Sequence, residues 1–340
     1  MTVLAIIVGS SGPSLTADER AFLRDACPWG FIVFRRNVVD RAQLRALVAD
    51  VRACLGRDDA PVLVDQEGGR VQRLRPPEWP HYPAARALAA FSPGDDERRA
   101  ALVRLHARCL ASDLSEVGIT VDCLPVLDVA DDATHDVIGD RSYGPDPHDV
   151  AALGRAAAEG LLAGGVLPVM KHAPGHGRAA ADSHHELPRV AASLAELEAR
   201  DFVPFRALAD LPCAMTAHVV YEEIDPDRPG TVSPLVVDGI IRGRLGFDGL
   251  LFTDDLSMNA LAGSLGERAA AAFAAGCDVG LHCNGDLDEM RAVAAAAPAL
   301  EGQRADRAAA ALARLRPPEP FDAREALRRI ERELSATLVA

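Results

Sequence analysis

The 340-residue chain contains a single lysine, Lys171. Its 36 basic residues are otherwise all arginine and face 50 acidic ones, giving a formal net charge of −14 and a pI near 5.2. No stretch gathers the Lys and Arg needed to release counterions from a polyanion, so nucleic acid is not an expected partner. Long apolar runs are missing too: none approaches the roughly 18 residues of a membrane span. The longest N-terminal run, Val3 to Val8, has no basic region before it and is too short for the core of a secretory signal. The expectation is a cytoplasmic protein that engages neither nucleic acid nor membrane. Disulfide signals are absent as well. Cys27, Cys54, Cys109, Cys123, Cys213, Cys277 and Cys283 are odd in number, contain no C-x-x-C and sit mostly in apolar surroundings, so they read as reduced core residues. No G-x-G-x-x-G follows the first apolar run, which weakens a dinucleotide-binding reading.

What is present is the composition of a globular protein, 49% hydrophobic and 25% charged. Short apolar segments recur at Val3–Val8, Phe31–Phe34, Val62–Val64, Ile119–Val126, Val166–Met170, Cys213–Thr216, Leu250–Phe252 and Cys277–Leu281. They are continuous rather than alternating, the pattern of strands covered by helices on both faces. Pro168 counts against one of them unless it lies at a bulge or a strand start. Between them, Leu44, Leu47, Val48, Val51 and Leu55 recur at helical spacing, with Gly56 where a C-cap belongs. Thr16 with Glu19 and Ser193 with Glu196 have the spacing of capping boxes. Strand and helix repeated about eight times over roughly 300 residues predict an α/β protein with a (β/α)8 TIM-type barrel, although a doubly wound sheet uses similar units. The barrel is favoured because Asp65, Lys171, His172, His218 and Asp254 each lie within two residues of the end of an apolar run, and such positions converge on the face where barrel enzymes keep their active sites. No linker divides the chain. Arg316–Pro320 merely precedes a final amphipathic segment, about 321–338, so residues 1–340 are expected to form a single domain with that C-terminal helix packed on it.

The densest chemical cluster is Lys171-His-Ala-Pro-Gly-His-Gly177 with Asp182-Ser-His-His185, which holds four of the chain's ten histidines. Three chemistries could use it. His172, His176 and His184 could ligate a metal in a metal-dependent hydrolase barrel, although no H-x-H follows an early strand here. Lys171 could form a Schiff base. Asp182 could fix the tautomer of His184 and raise its basicity, making a dyad that shuttles a proton near neutral pH. A bond-making partner for the dyad is available in Leu250-Leu-Phe-Thr-Asp-Asp-Leu256, where an apolar run ends in two carboxylates. One of these could be a helix N-cap, which leaves the other free to act. Asp65-Gln-Glu-Gly-Gly-Arg-Val-Gln-Arg73 places a carboxylate at a strand end and two arginines beyond two glycines, groups suited to hydroxyl or carbonyl groups on a substrate. Gly139-Asp-Arg-Ser-Tyr-Gly144 adds Arg141.

Together these segments resemble the single-domain bacterial β-N-acetylglucosaminidases of glycoside hydrolase family 3. The resemblance rests on DQEGGRVQR (65–73), VIGDRSYG (137–144), KHAPGHG with DSHHELP (171–188), MTAHVVY (215–221) and FTDDLSM (252–258). It implies a retaining glycosidase without metal or organic cofactor, which removes GlcNAc from GlcNAc-1,6-anhydro-MurNAc muropeptides in cell-wall recycling and acts as a monomer on this small carbohydrate. Asp254 would be the nucleophile. His184, oriented by Asp182, would be the acid and base, a departure from the usual pair of carboxylates. Asp65, Arg73, Arg141, Lys171 and His172 would hold the sugar. The chain departs from the family pattern at Ala173, usually Phe, at His135-Asp136, usually Asn-Pro, and at His185, which doubles the loop histidine.

Overall fold

A computed structural model describes residues 2–130, 134, 136–179 and 187–337. The strands are β1 (Leu4–Val8), β2 (Pro28–Val33), β3 (Val62–Val64), β4 (Gln66–Gly68), β5 (Val71–Gln72), β6 (Val121–Asp122), β7 (Leu167–Ala173), β8 (Arg189–Val190), β9 (Cys213–Thr216), β10 (Val220–Tyr221), β11 (Leu250–Asp255) and β12 (Val279–His282). Eight of them close a barrel in the order β1-β12-β11-β9-β7-β6-β3-β2, every pairing parallel. β4 with β5 and β8 with β10 form two small sheets outside it. The expected TIM-type barrel is therefore what the chain builds, with one strand for each apolar run.

The barrel interior is identified by side chains that meet across it. Trp29 on β2 and Phe252 on β11 are not on neighbouring strands, yet their ring centroids lie 5.5 Å apart. Ile7, Leu63, Val121, Val169, Cys213 and Val279 belong to the same buried cluster, and Ala308 and Ala311 of a late helix plug it from one end. The alternate residues, among them Ile6, Val8, Phe31, Val33, Val62 and Val64, join a second buried layer under the helices. All seven cysteines are buried and unpaired.

The helices are α1 (Ala17–Ala26), α2 (Arg41–Leu55), α3 (Ala85–Ala89), α4 (Asp96–Glu116), α5 (Pro147–Ala163), α6 (Leu194–Ala199), α7 (Phe202–Ala207), α8 (Leu265–Ala275), α9 (Leu287–Ala296), α10 (Gly302–Leu312) and α11 (Ala323–Thr337), with a π-helical stretch at Leu235–Arg244. Both expected capping boxes form, Thr16 with Glu19 on α1 and Ser193 with Glu196 on α6, and Gly56 ends α2 at φ 62°. α11 lies against α4 and buries Ala326 and Ile330.

Two strands differ from the apolar runs that announced them. The run Ile119–Val126 yields only Val121–Asp122, because the Leu124 N–H turns back to Asp122 O at 2.8 Å and Pro125 has no N–H to offer. Pro168 sits inside β7, where Val169 opens the ladder to β9 by pairing with Cys213. Leu167 and Val169 donate to the β6 side, so the missing N–H faces a neighbour that has not yet begun. Among the described residues no helix is long and apolar enough to cross a membrane.

Candidate active site

The C-terminal ends of the strands surround a cavity of about 230 Å³, lined among others by Phe34, Asp65, Arg73, Arg141, Lys171, His172, His176, Asp254 and Asp255. Each charged group reaches it by a local device. After β3 the chain folds back as the β4–β5 hairpin, whose hinge is Gln66: its side-chain oxygen accepts the N–H groups of Arg73 and Leu74 at 2.9 and 3.0 Å. That fold-back returns Arg73 to Asp65, eight residues earlier, at 2.8 Å. The same hairpin carries Glu67 inward, where Arg141 grips it with two hydrogen bonds of 2.8 Å from Nε and Nη2. Lys171, at the end of β7, stands between the two carboxylates, its Nζ 2.9 Å from Asp65 Oδ1 and 2.7 Å from Glu67 Oε1.

In this five-membered network of Asp65, Glu67, Arg73, Arg141 and Lys171, Glu67 and Lys171 are almost wholly removed from water, while the other three keep an edge on the cavity. Burial would raise the Asp65 carboxyl, but Lys171 and Arg73 outweigh it and hold the group far below the usual carboxylate range. Glu67 is likewise opposed by burial and brought down to about 2 by Arg141 and Lys171. Burial would lower the Lys171 ammonium, yet its two carboxylates raise it above the ordinary lysine value. An amine kept protonated cannot add to a carbonyl, so the Schiff-base option for Lys171 is overturned.

On the opposite wall β11 ends in Asp254 and Asp255, and the two carboxylates have different work. Asp255 accepts the N–H groups of Ser257 and Cys283 at 3.1 Å each and the Ser257 hydroxyl at 2.6 Å. It caps a turn, not a helix. The next helix, α8, is capped by Ser264 with Glu267, so the N-cap reading of this pair is corrected. Asp254 accepts only the Asp255 N–H, at 2.8 Å on Oδ1, among the described residues. Burial would raise its carboxyl, but the His218 and His172 imidazoles, the Asp255 N–H and Lys171 together bring it below its ordinary value, so it is ionised at neutral pH.

Between the two walls lies a buried pair the sequence did not announce. Asp128, in the loop after β6, accepts His172 Nδ1–H on Oδ2 at 2.7 Å, and its Oδ1 accepts the His176 N–H at 2.7 Å. Burial would raise Asp128, but His172 and His176 outweigh it and hold it at about 2, so the carboxylate fixes the His172 tautomer with Nε2 as the free nitrogen. The His176 ring stands edge-on to His172, centroids 5.9 Å apart, and burial lowers it to about 4.

Asp65, Arg73, Arg141, Lys171, His172 and Asp254 are thus brought to one cavity. Asp182 and His184, the expected dyad, lie outside the described residues, as do His135 and His185. The metal reading also needs His184; among the described residues no three His, Cys, Asp or Glu side chains form a group that could hold a metal ion. Arg70, the other arginine of its motif, stands at the rim and pairs with Asp140 at 3.1 Å. Sequence reasoning missed Glu67 and Asp128. Glu67 lay inside a motif already singled out, and Asp128 closes the run Pro125-Val-Leu-Asp128, so the rule that found Asp65 and Asp254 could have found it.

A (β/α)8 barrel that gathers carboxylates, histidines and paired cations at the C-terminal ends of its strands defines a hydrolytic barrel site for a small polar substrate. Comparison with known proteins narrows that class. The profile of the "Glycosyl hydrolase family 3 N terminal domain" matches residues 7–315, so the chain belongs to glycosyl hydrolase family 3 and is a glycosidase. It is similar to the "Beta-hexosaminidase" of Bordetella avium (strain 197N), 41% identical over 82% of this chain and 80% of that one, and to that of Chromobacterium violaceum, 41% identical over 89% and 85%. Among solved structures, native NagZ from Neisseria gonorrhoeae matches with a TM-score of 0.85 and 33% identity, covering 98% of this chain and 97% of that one. The same protein in complex with N-trifluoroacetyl-D-glucosamine matches equally, with a TM-score of 0.85 and 33% identity over 99% and 97%.

Proposed function

We propose that the chain is a retaining exo-β-N-acetylglucosaminidase that removes terminal non-reducing GlcNAc, with GlcNAc-1,6-anhydro-MurNAc muropeptides of cell-wall recycling as its natural substrate, acting as a monomeric, cytoplasmic, single-domain enzyme. The observation that carries the reading is the division of labour at the end of β11. Asp255 is consumed by the turn, while Asp254 is ionised, lines the cavity and keeps one oxygen unengaged among the described residues. A cavity of about 230 Å³ is smaller than the roughly 300–1,000 Å³ of sites for drug-sized ligands, which suits one sugar ring and exo action. The relatives' name and the N-trifluoroacetyl-D-glucosamine bound to the Neisseria protein support an acetamido sugar.

In this reading Asp65, Arg73, Arg141, Lys171 and His172 hold the hydroxyls and the acetamido group. The Asp254 carboxylate attacks the anomeric carbon as the glycosidic C–O bond breaks, and the leaving oxygen takes a proton from His184, oriented by Asp182. His184 then takes a proton from water, whose oxygen bonds the anomeric carbon as the ester to Asp254 breaks. Two inversions give net retention. The roles of His184 and Asp182 rest on the family resemblance.

The test is hydrolysis of p-nitrophenyl β-N-acetylglucosaminide followed by proton NMR. The β-anomer is expected first, in EDTA as without it, and Asp254→Asn is expected to lose on the order of 10⁴-fold or more in kcat. Initial release of the α-anomer, or sustained turnover by Asp254→Asn, would overturn the reading.

A further inference from the structure

Behind Asp254 lies a closed set of hydrogen bonds that the chemistry above does not use. Thr216 ends β9, His218 follows it, and Thr231 is carried in by the 3-10 turn Gly230–Val232; all three are fully buried. The direction of each bond can be worked out from its ends. His218 Nε2 lies 3.0 Å from Asp255 O, and a carbonyl oxygen has no proton to give, so Nε2 carries the hydrogen. Burial keeps His218 below its ordinary pKa, so Nδ1 is left with its lone pair and must accept. Its partner at 2.7 Å, the Thr231 hydroxyl, is therefore the donor. That hydroxyl has only one proton, so the 2.7 Å contact between Thr216 Oγ1 and Thr231 Oγ1 is donated by Thr216, and the 3.2 Å approach of Thr231 to Ala217 O is a secondary contact. The Thr216 oxygen in turn receives the Asp254 N–H at 3.4 Å. The bonds run one way, from Asp254 N–H through Thr216, Thr231 and His218 to Asp255 O, and close a ring across the two-residue strand end that presents the carboxylate.

We propose that His218 and Thr231 are positioning residues for the nucleophile. The ring sets the Asp254–Asp255 backbone and so aims the Asp254 carboxylate at the anomeric carbon. Bonds aligned head to tail reinforce one another, and breaking any one leaves a buried donor or acceptor unmet at each end of the break. The proposal rests on the reading of Asp254 as nucleophile. The charges that hold the sugar in that reading, Asp65, Arg73, Arg141 and Lys171, and Glu67, which pairs with the last two, lie on other elements and are not members of the ring.

The experiment removes one hydroxyl without changing side-chain shape. Thr231→Val is expected to lower kcat on p-nitrophenyl β-N-acetylglucosaminide by about 10- to 100-fold, the cost of a misplaced reacting group, while KM and the inhibition constant of GlcNAc stay within about twofold. Thr231→Ser, which restores the hydroxyl, is expected to recover kcat to within about threefold of the parent. Thr216→Val breaks the same ring at its other end and carries the same readout if Thr231→Val folds poorly. The double variant is expected to be no slower than the worse single one, since a ring is broken only once. An unchanged kcat in Thr231→Val, multiplicative losses in the double variant, or a loss that Thr231→Ser fails to rescue would overturn the proposal. Asp254→Asn separates the two levels. If it is inactive while Thr231→Val keeps the parent kcat, the ring fails and the nucleophile stands; if it turns over, the nucleophile itself is wrong.

Discussion

Lys171 shows how much one side chain is asked to do. It is 1% exposed, and its ammonium spans two carboxylates, the buried Glu67 and Asp65 at the cavity wall. A compact cation with freely rotating donors can satisfy both at once. A guanidinium is planar and larger, and it must either displace Asp65 or push into the cavity. Overpacking of this kind costs about 1–3 kcal/mol, and here it falls on groups that line the cavity. Lys171→Arg is expected to lose at least about tenfold in kcat/KM on the aryl substrate while remaining folded; parent-like kinetics would show that the lone lysine is an accident of composition. The same network makes a pH prediction. Glu67 is held at about 2 in the folded protein, against an ordinary value of 4.5. A depressed carboxyl contributes stability that is fully present above the unfolded value and is lost as pH falls toward the folded one. The window is therefore about pH 4.5 down to 2, and the contribution at stake is roughly 3 kcal/mol. Denaturant unfolding of Glu67→Gln across that window is expected to show a visibly flatter fall in stability than the parent, and equal slopes would remove Glu67 from the acid sensitivity.

At the level of strands and helices, the legible parts were those with a local cause. A continuous apolar run needs only its own residues to announce a buried strand, and the Thr16 and Ser193 boxes need only four residues each. Asp65, Lys171, His172 and Asp254 were legible for a related reason: in this fold the residue after an apolar run is delivered to the site. The rest was hidden because its cause lies elsewhere in the chain. Asp128 matters through His172, 44 positions away, and Thr231 through His218 and Thr216 across a loop with no periodic pattern. Glu67 reaches Arg141 and Lys171 only because Gln66 folds the hairpin back, and Arg141 looked uninformative until Glu67 stood in its fork. The Ile119–Val126 run misled in length, since apolarity says nothing about the N–H groups that Pro125 lacks and Leu124 turns inward. In the Asp254–Asp255 pair, sequence allowed one carboxylate to be a helix N-cap and the family resemblance singled out Asp254; the turn at Ser257 shows that Asp255 is the structural one.

Across the whole molecule, chemistry and closure occupy opposite ends. The site stands where the barrel strands finish, whereas the C-terminal segment meets the body where β7 begins: the Glu319 N–H donates to Ala163 O, the last residue of α5, at 3.1 Å. Arg108 of α4 lies over the Phe321 ring, 4.4 Å from its centroid, and Ile330 of α11 is 1% exposed against the same layer. The family profile ends at residue 315, and this segment lies beyond it. Its burial stabilises the helix layer without touching any group that lines the cavity. Removal of residues 317–340 is therefore expected to expose the outer face of α4 and lower the melting temperature by about 5 °C or more, since each kcal/mol lost moves a chain of this size by roughly 2 °C. At 25 °C, where the shortened chain is still folded, kcat and KM on the aryl N-acetylglucosaminide are expected to stay within about twofold of the parent. An unchanged melting temperature would mean that α11 is not docked on the barrel in solution, and a shifted KM would mean that the outer layer does communicate with the sugar site.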